Sequence, residues 1–275
     1  MGKTAVLLLG LLTGFVSLIF QSVSLGTEYW FEGTLTGTLD SQSEALADYY
    51  ENQTSLNEIP ALVRNRGLFS FCGYYYDANA SSTTVPSPTT SVNFQAQGDS
   101  IPPYAVVRCI TYNFTQTPNP ALPGLGYHRT LYYLDRTAAA LGCIMMGLQL
   151  CGVLTSCQAA WTVITVLFTD CGTMFMFGAF FGMTSLLMIV ASAEYEVNER
   201  PLSIRQLPEI YTLSYSWSFY VSWAAFGLCF ASGVMFLMVA RQWHLEEVWL
   251  KKSLEEEKKR MPQQRYSRSK LMPSF

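Results

Sequence analysis

Residues 64–77 read "RNRGLFSFCGYYYD". This stretch puts a Gly-Leu-Phe step and a cysteine in a polar region, far from either flanking apolar run. Only one other cysteine, Cys109, shares that region. Where the region lies relative to a membrane decides the fold, and the apolar runs on either side fix that.

The first run, Thr4 to Gly26, carries no charge. About 20 apolar residues rising 1.5 Å each cross about 30 Å of hydrocarbon. A second uncharged run follows Arg136 and stays apolar to about Ala193, interrupted only by Asp170. It is too long for one span and suits two helices with a turn. Four transmembrane helices are therefore expected, over residues 4–26, 135–157, 170–193 and 217–240. Each must be helical, because lipid cannot satisfy free backbone N–H and C=O groups. The first run has a second reading as a signal peptide, with Lys3 before it and Ser22, Ser24 and Gly26 at its end. Its length exceeds the apolar core of about 7–15 residues that such peptides carry. Only 13% of the chain is charged, against about 25% in soluble domains. The net charge of −3 gives no nucleic-acid bias.

Lys and Arg near the span ends set orientation. Arg241, Lys251, Lys252, Lys258, Lys259 and Arg260 follow the last span, and Lys3 precedes the first. Residues 1–3, the turn 158–169 and the basic tail 241–275 are thus expected in the cytoplasm. Residues 27–134 and 194–216 are expected outside. Three N-glycosylation sequons, at Asn52, Asn79 and Asn113, fall in the larger outer segment.

An outer segment is oxidising, so Cys72 and Cys109, the only two thiols there, are expected to pair. Tyr104 to Phe114 is β-branched and aromatic and reads as a strand, as does Leu68 to Tyr76. The expected fold is a mainly α membrane protein. It is a four-helix transmembrane bundle with a small disulfide-stapled extracellular antiparallel β-sheet. Ser41, three residues before Glu44, reads as a capping box opening a short helix over residues 41–52. Residues 78–100, rich in Ser, Thr and Pro, read as a loop.

Trp30 after the first span, Gly67-Leu68-Phe69, Cys72 and Cys109 together resemble the W…GLW…C…C pattern of the claudin-like four-span superfamily. That group includes claudins, peripheral myelin and epithelial membrane proteins, and the calcium-channel gamma and AMPA-receptor auxiliary subunits. Tyr215-Ser-Trp-Ser-Phe-Tyr220 resembles the approach to the fourth span in the auxiliary and claudin-domain-containing branches. The chain departs from the pattern at Phe69, which stands for the second tryptophan, and in the wide cysteine spacing. Its end, Met272-Pro-Ser-Phe275, departs from the tyrosine-valine ending of junctional claudins. The resemblance implies that Gly67-Leu68-Phe69 lies over the outer end of the bundle, with Phe69 meeting Trp30.

Other features have plainer readings. Gly10/Gly14 and Gly178/Gly182 are small-xxx-small pairs, read as packing within the bundle or as a dock for a partner helix. Asp170 reads as the cap of the third span. Glu194, Glu196, Glu199 and Glu209 read as solvated charge. No catalytic motif, metal-ligand spacing or cofactor signature occurs, so the protein is read as a non-enzyme without cofactor or metal. The expected function is an auxiliary or adaptor that modulates a receptor or channel. The alternatives are a cell adhesion or junction protein assembling through its outer sheets, and an endoplasmic-reticulum regulator of calcium handling. Expected partners are membrane lipids, another integral membrane protein, and a second copy of the chain. The expected location is the plasma membrane, with the endoplasmic reticulum as alternative.

Overall fold

The computed structural model describes residues 3–36, 38–50, 62–76, 105–112, 124–162, 164–201 and 206–270. In chain order the elements are α1 (Lys3–Gly26), β1 (Phe31–Leu35), α2 (Leu39–Tyr50), β2 (Leu62–Arg66), β3 (Ser70–Tyr76), β4 (Ala105–Thr111), α3 (Leu125–Thr162), α4 (Thr165–Asn198), β5 (Tyr211–Tyr215) and α5 (Trp217–Lys270). Four of these helices, α1, α3, α4 and α5, are long and apolar enough to cross a membrane.

Three helices run beyond the expected ends. α3 has 38 residues, α4 has 34 and α5 has 54, so α3 alone is about 57 Å long. The α3–α4 connection is residues 163–164 rather than 158–169, since no Gly or Pro between Ser156 and Thr169 halts either helix. At the other end, a Cβ built on Gly142 would lie 3.0 Å from Leu25. That contact makes Gly142 level with the last turn of α1. The part of α3 before it, and the matching part of α4, therefore rise past α1 as a two-helix post beside the sheet.

The sheet has five antiparallel strands in the order β4-β3-β2-β1-β5. Sequence patterning finds only β3 and β4, each longer than observed. β1 is short and carries Gly33, where an added Cβ would sit 1.9 Å from the Val63 carbonyl oxygen. β5 closes the sheet by pairing Tyr215 with Phe31 and Tyr211 with Leu35. It lies in what reads as a short acidic loop, and its partner strand is about 180 residues away in sequence. The short helix α2 begins at Leu39, not Ser41. Thr38 is its cap, with the Ser41 N–H donating to Thr38 Oγ1 at 3.4 Å and the Ser41 hydroxyl returning to the Thr38 carbonyl at 2.8 Å.

Inside the bundle, hydroxyls tie α1 to α5. Ser17 donates to the Ala225 carbonyl at 2.6 Å, Ser24 to Ser218 O at 2.8 Å and Ser232 to Gly10 O at 2.8 Å. Gln149 on α3 donates to the Ser17 hydroxyl at 2.8 Å. Small polar residues let helices come close where no hydrophobic force separates lipid from protein. All four motif glycines face inward. An added Cβ on Gly14 would meet Phe175 Cζ at 2.8 Å, and one on Gly182 would meet Met145 Sδ at 2.2 Å. Gly10 lies against Met235 and Phe236, and Gly178 against Cys229 and Leu148.

Candidate functional site

The seam between the sheet and the bundle gathers the residues singled out from the sequence. Cys72 on β3 and Cys109 on β4 face each other in register and form a disulfide, with Cα atoms 4.0 Å apart. Glu28 lies beside it, one carboxylate oxygen 3.2 Å from Cys72 Sγ and the other accepting from the Ser70 hydroxyl at 2.7 Å. The three residues converge as metal ligands would. Both sulfurs are spent in the bridge, however, and a disulfide sulfur is not a thiolate ligand.

The bridge closes 37 residues. In the chain-entropy model this restricts the unfolded chain by about 4 kcal/mol. Cys109→Ser is expected to lower unfolding stability by roughly that amount and to loosen β4, the edge strand. Denaturant titration in bicelles checks this; a loss well under about 1 kcal/mol would mean that the pairing of β3 with β4 needs no staple.

Gly67 stands in the turn between β2 and β3. Its N–H donates to Ser70 O at 2.8 Å. An added Cβ would fall 2.7 Å from the Thr27 carbonyl oxygen and 2.9 Å from Glu28 Cα. Glycine here lets the turn lie directly on the end of α1. Leu68 then inserts into the core with Leu25, Trp30, Ala138, Ala139, Leu186 and Ile189, and is 6% exposed. Phe69 is 37% exposed and lies outside that core. The expected Phe69–Trp30 core pair is therefore corrected. Trp30, 2% exposed, makes an edge contact with Phe219 at 6.4 Å, and its indole N–H donates to the Ser24 carbonyl at 2.7 Å. The three-residue turn, 67–69, points its two apolar side chains in different directions, and Leu68 takes the inward one.

Beneath the sheet lie two buried charge networks that sequence reading misses. Arg66, the last residue of β2, forms an ion pair with Asp135 of α3 and donates to Ser192 Oγ of α4 at 2.9 Å. Ser192 in turn donates to the other Asp135 oxygen at 2.7 Å. Burial works against the Arg66 charge, but Asp135, together with Tyr112 and Glu196, outweighs it and raises the guanidinium's pKa. Burial also pushes the Tyr112 hydroxyl up to about 12, with Arg66 pulling the other way. In the second network, Tyr127 of α3 donates to Glu196 of α4. Arg200 donates to Glu196 at 2.7 Å and to the Tyr49 hydroxyl of α2 at 2.5 Å. Glu196 is thus buried and paired, not solvated. The post formed by α3 and α4 is bolted to β2 by one network and to α2 by the other.

The remaining expected sites lie apart. Asn52, Asn79 and Asn113 fall outside the described residues. Asp170 is not a cap: α4 begins at Thr165 after Ile164, and Asp170 stands exposed in its second turn. The cap reading failed because the turn lies several residues earlier than the charge suggested.

A bundle of four membrane-crossing helices carrying a stapled sheet at one end defines a multi-pass membrane protein of the four-span kind. The chain belongs to the PMP-22/EMP/MP20/Claudin tight junction family, whose model matches residues 15–238. The match begins midway through α1 and ends at Met238 of α5, so it takes in the second half of α1, the sheet, the disulfide, α3, α4 and the apolar start of α5.

Proposed function

We propose that this protein is a non-enzymatic membrane adaptor that associates with another membrane protein, a receptor or channel, and modulates it. The observation that supports this most is the way the sheet is held. The buried Arg66 network and the Leu68–Trp30 core fix a five-stranded surface rigidly to the helices, and the Arg200 network fixes α2 to the same helices. A preorganised surface loses little freedom on binding. The auxiliary-branch resemblance at residues 215–220 points the same way. In this reading both termini are cytoplasmic, the sheet faces outward at the plasma membrane, and Asn52, Asn79 and Asn113 carry glycans there.

The family's own description, a tight junction family, favours a second reading, in which outer sheets of neighbouring copies assemble for adhesion. Two measurements divide these. Epitope tags at either terminus should stain only permeabilised cells; staining of intact cells would reverse the topology. Cells expressing the chain alone should show no enrichment at contacts between two expressing neighbours, whereas enrichment there would favour adhesion over the adaptor.

A further inference from the structure

The two sulfurs of the Cys72–Cys109 staple are not alike. Cys72 is 5% exposed, whereas Cys109, on the edge strand β4, is open to solvent. Opening of such a bridge by a thiol is an in-line displacement. A thiolate attacks one sulfur and forms a new S–S bond, the old S–S bond breaks, and its electron pair leaves on the other sulfur. Burial closes the Cys72 sulfur to attack, so the thiolate enters at Cys109. The negative charge then lands on Cys72.

A carboxylate stands at that landing place. One Glu28 oxygen is 3.2 Å from Cys72 Sγ, and a Glu28 oxygen lies within 4.8 Å of both sulfurs. Two contacts hold it there. The Ser70 hydroxyl donates to the other carboxylate oxygen at 2.7 Å. The β2–β3 turn bears on the backbone of the same residue, since an added Cβ on Gly67 would fall 2.9 Å from Glu28 Cα. Among the described residues no basic side chain pairs with Glu28; the ion pairs there join Arg66 to Asp135 and Arg200 to Glu196. No counter-ion among them offsets the charge beside the bridge.

We infer that Glu28 guards the disulfide: its carboxylate slows opening by thiols, and slows it most for thiols that carry negative charge of their own. Two effects add. Like charge repels the thiolate arriving at Cys109, at a half-buried site where water and salt screen less. Like charge also disfavours the thiolate that forms on Cys72, and a poorer leaving group departs more slowly. Anionic thiols, glutathione among them, are the class excluded most. Exposed disulfides are ordinarily the labile ones, and the carboxylate offsets that exposure at Cys109. The inference concerns the staple alone and does not rest on the adaptor reading.

Rates measured on the full chain in bicelles at low salt test this. Cysteamine, a cationic thiol, and mercaptoethanesulfonate, an anionic one, are each added in excess, and rates are expressed per thiolate. Mass spectrometry of peptides follows the mixed disulfide and the freed thiol. The adduct should appear on Cys109 and the free thiol on Cys72. Cysteamine should open the unaltered chain about tenfold faster than mercaptoethanesulfonate. Glu28→Gln, whose amide oxygen can still accept from Ser70, should open faster with both thiols and bring the two rates within about threefold of each other. In denaturant, where residue 28 is no longer held against the bridge, the unaltered chain and Glu28→Gln should react alike. An adduct on Cys72 would overturn the inference. So would a ratio of the two rates that Glu28→Gln leaves unchanged, which would assign Glu28 a purely structural part in holding the turn. A difference between the two chains that persists in denaturant would overturn it as well.

Discussion

Asp135→Ala should be among the most damaging single substitutions in the protein, costing about 3–5 kcal/mol. It would leave the Arg66 guanidinium, whose side chain is 7% exposed, without its carboxylate. Ser192 cannot replace it, since its hydroxyl carries no charge. Arg66→Ala should cost less, because Asp135 keeps the Ser192 hydrogen bond and is 19% exposed, so water reaches it. The pair of changes Arg66→Met with Asp135→Leu should cost least of the three, since it removes both desolvated charges and fills their space with apolar atoms. A double-mutant cycle read by unfolding in mild detergent or bicelles gives the coupling directly. Additive losses would show that the two residues do not act as a unit.

The second large effect concerns Trp30. Trp30→Ala should cost about 3–5 kcal/mol, because it empties the centre of the core that joins α1, the β2–β3 turn, α3, α4 and α5. It also strips the Ser24 carbonyl of its indole donor. Phe69→Ala, by contrast, should cost about 1 kcal/mol or less, because the ring is outside that core. The pair makes a sharp comparison within one sequence motif. Both variants can be scored by the fraction that leaves the endoplasmic reticulum in cells and by unfolding in bicelles. Equal losses for the two would mean that Phe69 is part of the core after all.

The membrane part of the fold is legible in the sequence because charge is excluded from it. Lys3 and Arg241 bracket spans whose helices then appear where hydrophobic length requires. The ends are less legible. Nothing in residues 156–169 stops a helix, and nothing at residues 124–136 says that α3 continues above the membrane. The disulfide follows from compartment alone, with only two thiols to choose from. β5 and Glu196 escape detection for one shared reason. A five-residue strand and a glutamate in an acidic segment look solvated until a distant segment covers them: Phe31 for Tyr215 at 5.3 Å, and Tyr127 for Glu196. Phe69 shows the limit of motif reasoning. The motif locates the turn on the bundle, but only the backbone path decides which of two adjacent apolar side chains points in.

The junction of β5 and α5 has a mechanical meaning. A single residue, Ser216, separates the edge strand from the 54-residue helix, and its N–H is held by the Trp30 carbonyl at 3.0 Å. The strand and the helix therefore turn together. At 1.5 Å per residue the helix reaches about 80 Å from the sheet, of which the bilayer covers only about 30 Å. One continuous helix thus carries the orientation of the sheet edge through the bilayer and well past its other face, and the buried hydroxyl contacts between α1 and α5 hold that rod in line with the rest of the bundle.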